Sequence, residues 1–457
     1  MQQNVTLTAT KWLDELKFNR LHVMFVLMVY LTLIFDGYAA LVLGYLIPSI
    51  MKEWHLTPLA AGALASYTFA GLMLGSLTFG TLADFIGRKK AMLLGILTCS
   101  IFSGFSYWVP DFRTLCIMRF VAGLGIGGTL PVSGAFISEY VPARVRARAL
   151  MTAFTGINSG AIVAAICSMT ILPHFGWRSP FLFEFLIFLL IPFMIAYMPE
   201  SIRFLSQKQR YERATRELRR LERIAGIAPL NWTAESFALP AEAKVGLKQL
   251  FSSRYAVMTI LIWFAHIFNM INFFGMGTWL PALFVKQGYS GTRSISYAMV
   301  TMIGAIVGAI LLGRIMDRFG RKPGLVTNFI LGGIATCLFS LVHSNTEIYL
   351  VAAFWGLTGG STMMGLVVVA GETYPTQFRA GAVAWSNTVG RSGAIIAGLL
   401  GGWLQMGGFT FNQFFYIFAL PCFINAVLVL LFRVNVRGDS VETVTGKLAG
   451  RISAAGA

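Results

Sequence analysis

Three charged residues stand out inside long apolar runs: Asp36 in IFDGYAALVLGYLIP, Arg119 in RFVAGLGIGG and Arg391 in SNTVGRSGA. A charge held at membrane depth is costly, so each needs a partner or a task. A planar guanidinium can grip a carboxylate through two parallel hydrogen bonds and stays charged in a low dielectric. An aspartic acid in the same surroundings can take up and release a proton, because burial raises its pKa and a nearby arginine lowers it. These residue types point to anion binding and proton exchange. No nucleotide loop, metal cluster or nucleophile with a spaced base emerges, so the sequence suggests neither an enzyme nor a bound cofactor.

The elements that must position these charges follow from hydropathy. Of 457 residues, 56% are hydrophobic and 12% charged, with a mean hydropathy of +0.70. A soluble domain cannot hide that much apolar surface. About 20 apolar residues cross a bilayer as helix, and twelve such runs occur, at 22–50, 58–83, 91–109, 115–139, 149–172, 179–198, 256–281, 297–316, 325–343, 348–372, 382–405 and 411–432. The runs are continuous instead of alternating, which excludes a β-barrel. The predicted fold class is an all-α membrane protein.

The net charge of +17 does not mark a nucleic-acid binder, because 29 of the 36 Lys and Arg residues fall in the termini and alternate loops, and two lie inside spans. The opposite loops hold only Lys52, Arg113, Arg178, Lys286 and Arg293. That asymmetry places both termini in the cytoplasm. The five cysteines are scattered singly through apolar stretches and read as packing residues. The first twenty residues are polar and the run that follows is too long for a signal core, so the first span stays in the chain. The expected organisation is an N-terminal cytoplasmic tail (1–21), a six-helix bundle (22–198), a cytoplasmic loop (199–254), a second six-helix bundle (255–432) and a C-terminal tail (433–457). Within the loop, QKQRYERATRELRRLERI predicts a basic helix, either solvated or touching anionic lipid.

An internal repeat organises the chain. GTLADFIGRKK at 80–90 returns as GRIMDRFGRK at 313–322, an offset of 233 residues. The same offset carries Gly44 and Pro48 onto Gly277 and Pro281, and Gly71 and Gly75 onto Gly304 and Gly308. Glu139, Pro142, Arg146 and Gly160 likewise map onto Glu372, Pro375, Arg379 and Gly393. Two six-span copies in one orientation are parallel repeats, an arrangement suited to rocking about a central site. Asp36 maps onto Asn269, and Asn158 onto Arg391, so each copy ionises a different one of two equivalent polar positions.

In the repeated motif, Gly80, Gly87 and Gly313 are expected to allow a tight turn and close helix approach. Asp84 and Asp317 are expected to pair with arginines and to accept hydrogen bonds from a neighbouring helix start, and Arg88 and Arg321 belong to the same gating motifs. Glu139 with Arg146, and Glu372 with Arg379, are placed to join an ionic cluster that latches the cytoplasmic side in one state and breaks in the other.

These motifs, with RFVAGLGIGG and PESIRFL, make the chain resemble the major facilitator superfamily. IFDGYAALVLGYLIP, SEYVPARVRA, TWLPALFVKQGYS and YPTQFRAGAVAWSNTVGRSGA are similar to its aromatic acid and proton symporters. The resemblance implies a proton-coupled importer of a small aromatic monocarboxylate, working as a monomer by alternating access in a bacterial inner membrane. Relatives usually carry a second acid where this chain has Ala39, which bears on proton stoichiometry.

On that reading Arg391, about eleven residues and so roughly 16 Å from its cytoplasmic helix end, is the carboxylate receptor, or else a structural pair. Asp36 with Arg119 carries the proton, or Asp36 permanently neutralises an arginine. The seventh span offers Phe264, Phe268, Phe273, Phe274 and Trp279 among Asn269 and Asn272, suited to an aromatic ligand. Tyr38, Asn158, Trp355, Trp385 and Asn387 complete the expected cavity, and His266 either titrates or packs. The rival readings are a carrier of another organic acid such as nicotinate or a sugar acid, an exporter of amphipathic compounds, and a membrane ligand sensor.

Overall fold

The computed structural model describes residues 8–238, 247–253, 255–374 and 379–432. Pro375 and the expected tail 433–457 lie outside them. Among the described residues there is no strand, and all twelve expected spans are helical.

The helices are α1 (Ala9–Glu15), α2 (Arg20–Trp54), α3 (Pro58–Ile86), α4 (Arg88–Phe105), α5 (Phe112–Tyr140) and α6 (Ala143–Phe175). A tightly wound 3₁₀ stretch, Ser179–Leu189, then runs into α7 (Leu190–Tyr197). In the central loop come α8 (Ile202–Gln207), α9 (Tyr211–Ala225) and α10 (Leu247–Leu250). The second copy comprises α11 (Ala256–Lys286), α12 (Gly291–Phe319), α13 (Arg321–Leu338), α14 (Asn345–Thr358), α15 (Thr362–Thr373), α16 (Arg379–Met406) and α17 (Phe411–Leu430). Ten helical stretches among the described residues are long and apolar enough to cross a membrane.

Local chemistry explains several boundaries. Asp111 caps α5 by accepting the Thr114 N–H at 2.9 Å. Reciprocal capping boxes start α14, through Ser344 and Glu347, and α17, through Thr410 and Gln413. Each satisfies donors that a helix start leaves orphaned.

The repeat is visible in packing as well as in sequence. Gly71 and Gly75 of α3 lie against the backbones of Phe120 and Leu124 of α5, and their copies Gly304 and Gly308 lie against Ala353 and Leu357 of α14. All four pairs differ by the same 233 positions. A Cβ at Gly75 would stand 2.1 Å from the Leu124 carbonyl oxygen, and one at Gly308 2.3 Å from that of Leu357. Small residues thus let membrane helices touch backbone to backbone.

By packing, the chain sorts into two compact units. The first is Met1–Ala40, Gly71–Ala164 and Arg178–Ala241; the second is Leu41–Ala70, Ala165–Trp177 and Glu242–Ala457. The stretches 41–70 and 165–177, though part of the first sequence repeat, pack with the second.

Within the first unit the basic loop helix is docked. Helix α9 buries Ala214, Leu218 and Leu221 in a cluster shared with Leu205, Met92 and Phe136, while Arg213, Arg216 and Arg219 are exposed on its other side. Gly226 ends it at a left-handed φ of 69°. Buried Glu222 accepts the Trp232 indole N–H at 2.8 Å and the Leu230 N–H at 3.1 Å. Trp12 of α1 meets Trp232 edge to face at 5.4 Å, and Asp14 of α1 pairs with Arg146 at the start of α6. The helix is therefore neither a solvated linker nor a lipid-surface helix all round, because one face belongs to a core.

Candidate functional site

In the second unit, polar side chains gather on α11 and its neighbours. Arg391 of α16 is 7% exposed. It is held in place by close helix contact on either side, since Gly390 lies against His266 and Gly393 against Ile267 of α11. His266 is fully buried, with Nδ1 at 3.0 Å from the Ile262 carbonyl and Nε2 without a partner. One turn on, the Asn269 side-chain oxygen accepts the Thr362 hydroxyl at 2.6 Å, while its Nδ2 has no partner. Asn272 Nδ2 donates to the Phe418 carbonyl at 2.7 Å and to Thr336 Oγ1 at 3.3 Å. The Trp355 indole also donates to Thr336, at 3.0 Å, and its ring stacks with Phe273 at 6.2 Å. An aromatic wall, amides and a guanidinium thus belong to one packed unit, as anion and ring binding require.

Other expected cavity residues have different work. Trp279 is fully buried with its ring against Gly62 and Gly401, so it belongs to a helix contact. Phe264 is 49% exposed. Trp385 packs against the apolar cluster of Leu366, Val369 and Ala382, and Asn387 donates to the Val383 carbonyl of its own helix at 3.1 Å.

In the first unit, Tyr38 is fully buried, donates its hydroxyl to the Pro180 carbonyl at 2.6 Å and stacks on Phe183 at 4.7 Å. Asn158 is half-buried. The Asp36 carboxylate, 4% exposed, accepts the Thr129 hydroxyl. Arg119 is fully buried and donates to the Ala39 carbonyl at 2.6 Å and to Ser103 Oγ at 2.8 Å, with the Phe181 ring 5.4 Å away. These two partners of the Arg119 guanidinium are neutral oxygens. Sequence reasoning passed over Glu184, which is fully buried near Arg119. Its signal was in plain view: an acid in the apolar run FLFEFLIFL.

The cytoplasmic motifs form ionic clusters with altered membership. Arg88 pairs with Glu139 at 2.5 Å, and Glu139 also accepts from Ser201 Oγ at 2.7 Å and from the Arg203 N–H at 2.9 Å. Glu200 accepts the N–H groups of Lys89 and Ser201 at 3.1 and 3.0 Å. Burial pushes its carboxyl above the ordinary value, against the pull of those donors. Gly87 turns with φ 97°, and a Cβ there would strike the Glu200 carboxylate. In the second unit Arg321 pairs with Asp317 and, at 2.9 Å, with Glu372, and Gly320 repeats the turn at φ 101°.

Three expectations change. Asp84 is exposed and makes no ion pair among the described residues, since Arg88 turns to Glu139. Arg146 leaves the cluster for Asp14 and the Val141 carbonyl, as its copy Arg379 reaches the Tyr374 carbonyl. Gly80 and Gly313 adjoin open space, so no close approach requires them. Glu139→Ala is expected to cost about 3 kcal/mol, since it strands a largely buried guanidinium and removes the acceptor for Ser201 and Arg203. Asp84→Ala should be near neutral. A thermal midpoint in detergent that moves equally for the two variants would contradict this ordering.

The second unit also contains a seal. Gly62 of α3 meets the Gly398 backbone of α16, Gly44 of α2 meets Gly277 and Thr278, and Gly402 meets Pro58 and Leu59. Ser66 Oγ donates to the Ile395 carbonyl at 2.8 Å, and Phe69 packs on Phe274 at 4.6 Å. Within this unit, residues 41–70 of α2 and α3 thus pack on α11 and α16.

Comparison with known proteins agrees with this architecture. The Major Facilitator Superfamily profile matches residues 29–309 and 294–453. The niacin transporter of Acinetobacter baylyi is 30% identical over 438 residues, 94% of this chain and 98% of that protein. The gallate transporter of Pseudomonas putida is 31% identical over 92% of this chain and 93% of its own length, and the benzoate transport protein of A. baylyi 28% over 93% and 92%. An inward-open structure of the E. coli xylose transporter superposes with a TM-score of 0.73, covering 92% of this chain and 98% of that one. At 16% identity that likeness speaks for the fold alone. The chain accordingly belongs to the Major Facilitator Superfamily, among its aromatic acid transporters, and is a multi-pass membrane transporter with no enzymatic role.

Proposed function

We propose that this transporter imports a small carboxylate on a six-membered aromatic ring together with a proton, by alternating access. The observation that carries the reading is the buried guanidinium of Arg391, packed beside a helix whose His266 and Asn269 each keep a nitrogen without a partner. A planar guanidinium in such a place can hold a carboxylate through two parallel hydrogen bonds. Phe273 and Trp355 supply the apolar faces for the ring. The relatives are named for niacin, gallate and benzoate, each an aromatic carboxylate.

Asp36 and Arg119 belong to the coupling machinery of the first unit. The clusters of Glu139 with Arg88 and of Glu372 with Arg321 hold the cytoplasmic helix ends and break when that side opens. The distribution of Lys and Arg supports cytoplasmic termini and a bacterial inner membrane location. The protein acts as a monomer, and the halves 22–198 and 255–432 are the parts the cycle moves.

Uptake of labelled aromatic acids into proteoliposomes, with and without an inward proton gradient, tests the reading. Accumulation is expected only with the gradient. Asp36→Asn should bring the accumulation ratio to about one while exchange persists, because Arg119 then keeps any remaining carboxylate ionised. Full gradient-driven accumulation by that variant would exclude Asp36 from coupling.

A further inference from the structure

Beside α9, in the first unit, lies a cleft that the proposed transport cycle does not use. The run YERATRELRRLERI places Tyr211, Thr215 and Arg219 on one stripe at four-residue spacing, with Glu212 and Arg216 next to it. All five line a cavity of about 420 Å³, bounded on its other side by the chain from Trp232 to Ala234 and by Phe237. Its floor is aromatic and fixed in place. Phe237, 4% exposed, stacks on Tyr211 with ring centroids 5.6 Å apart, and Trp232 lies 6.5 Å from it. The Trp232 ring is held by Glu222 at its indole N–H and by Trp12, edge to face. A reciprocal pair between Thr233 and Ser236 fixes the turn that carries Phe237.

The rim carries the charge. Arg216 and Arg219 are exposed and form no ion pair or hydrogen bond among the described residues, whereas Arg220 has Glu217 at 3.9 Å. Most basic helix faces are simply solvated, but here two unpaired guanidinium groups flank a preformed floor of rings. Glu212 in the same cavity offsets one of them and leaves a surplus of one positive charge. That surplus suits a monoanion, the rings suit a flat apolar body, and the volume lies within the range of about 300–1,000 Å³ that small ligands occupy. The buried face of α9 shares a cluster with Met92, one turn into α4, and Phe136, one turn before the end of α5. The helix therefore covers span ends, where the ligand within reach is a soluble one.

We propose that this cleft is a second binding site for a small aromatic carboxylate, in addition to the one around Arg391. Its ligand class rests on the function proposed above. Exposed arginines hold an anion weakly, so the affinity is about millimolar, and binding measured at low ligand concentration reads the Arg391 site alone.

The test is photolabelling of purified full-length protein in detergent with 4-azidobenzoate, the adduct being located by peptide mass spectrometry. An adduct is expected within 211–237. Excess benzoate should remove it, and cyclohexanecarboxylate, which has the charge without the flat ring, should need a concentration about tenfold higher. Replacing both arginines, Arg216→Gln with Arg219→Gln, should cut the labelling about tenfold. Arg213→Gln, exposed on the same helix but outside the cleft, should leave it unchanged, as should Arg391→Ala. No adduct in 211–237, an equal loss in Arg213→Gln, loss in Arg391→Ala, or equal protection by inorganic phosphate overturns the proposal. In proteoliposomes, labelling lost with phosphatidylglycerol but kept with phosphatidylcholine would give the cleft to a lipid headgroup and overturn it too. If the wild-type protein transports no aromatic acid, the proposed function fails, and the labelling, which needs no transport, still decides the cleft.

Discussion

Arg391→Ala should abolish recognition of aromatic carboxylates while leaving the helix pair that carries it intact. Hydrogen bonds to a charged group contribute about 1.5–3 kcal/mol each, and a guanidinium offers a carboxylate two of them. Losing both corresponds to at least about a hundredfold in affinity, since each 1.4 kcal/mol is tenfold. Arg391→Lys keeps the charge but not the fork, and should recover part of the loss. The packing of α16 on α11 runs through Gly390 and Gly393, on either side of this residue, so a truncated side chain does not disturb it. Equilibrium binding of labelled benzoate checks the ordering wild type, Lys, Ala. Wild-type affinity in Arg391→Ala would make the arginine structural and remove the main support for the proposed substrate class.

What the sequence could and could not reveal follows from the range of each interaction. Helices were legible because about 20 apolar residues in a row have one physical solution in a bilayer. The repeat was legible because backbone contact constrains residue type: the pairs Gly75 with Leu124 and Gly308 with Leu357 require glycine in both copies. Side-chain partnerships were not, since several acids lie within reach of each arginine and packing chooses among them. Arg88 takes Glu139 over Asp84, and Arg146 takes Asp14, a residue far away in sequence. Glu184 was overlooked for another reason. Surrounded by phenylalanines and leucines, it reads as an interruption of a span, although the rule that singled out Asp36 applies to it equally.

The seal in the second unit gives a prediction in which a single methyl group has a large effect. A Cβ at Gly62 would stand 2.2 Å from the Gly398 carbonyl oxygen, well inside contact distance, and the obstacle is backbone that cannot rotate away. Helices α3 and α16 must separate, which also lengthens the hydrogen bond from Ser66 to the Ile395 carbonyl and loosens Trp279. Overpacking of this kind costs about 1–3 kcal/mol. At the upper end, the sealed arrangement is depopulated about a hundredfold. On the proposed alternating-access cycle this arrangement recurs in every turnover, so Gly62→Ala should slow uptake by up to the same factor. Gly313→Ala is the matched control: its Cβ meets nothing within 4 Å, and alanine favours a helix over glycine by about 1 kcal/mol, so transport should be unaffected. Initial uptake rates for both variants, normalised to the amount of protein inserted, decide the matter. Equal rates would mean that the contact of α3 with α16 plays no part in the transport cycle.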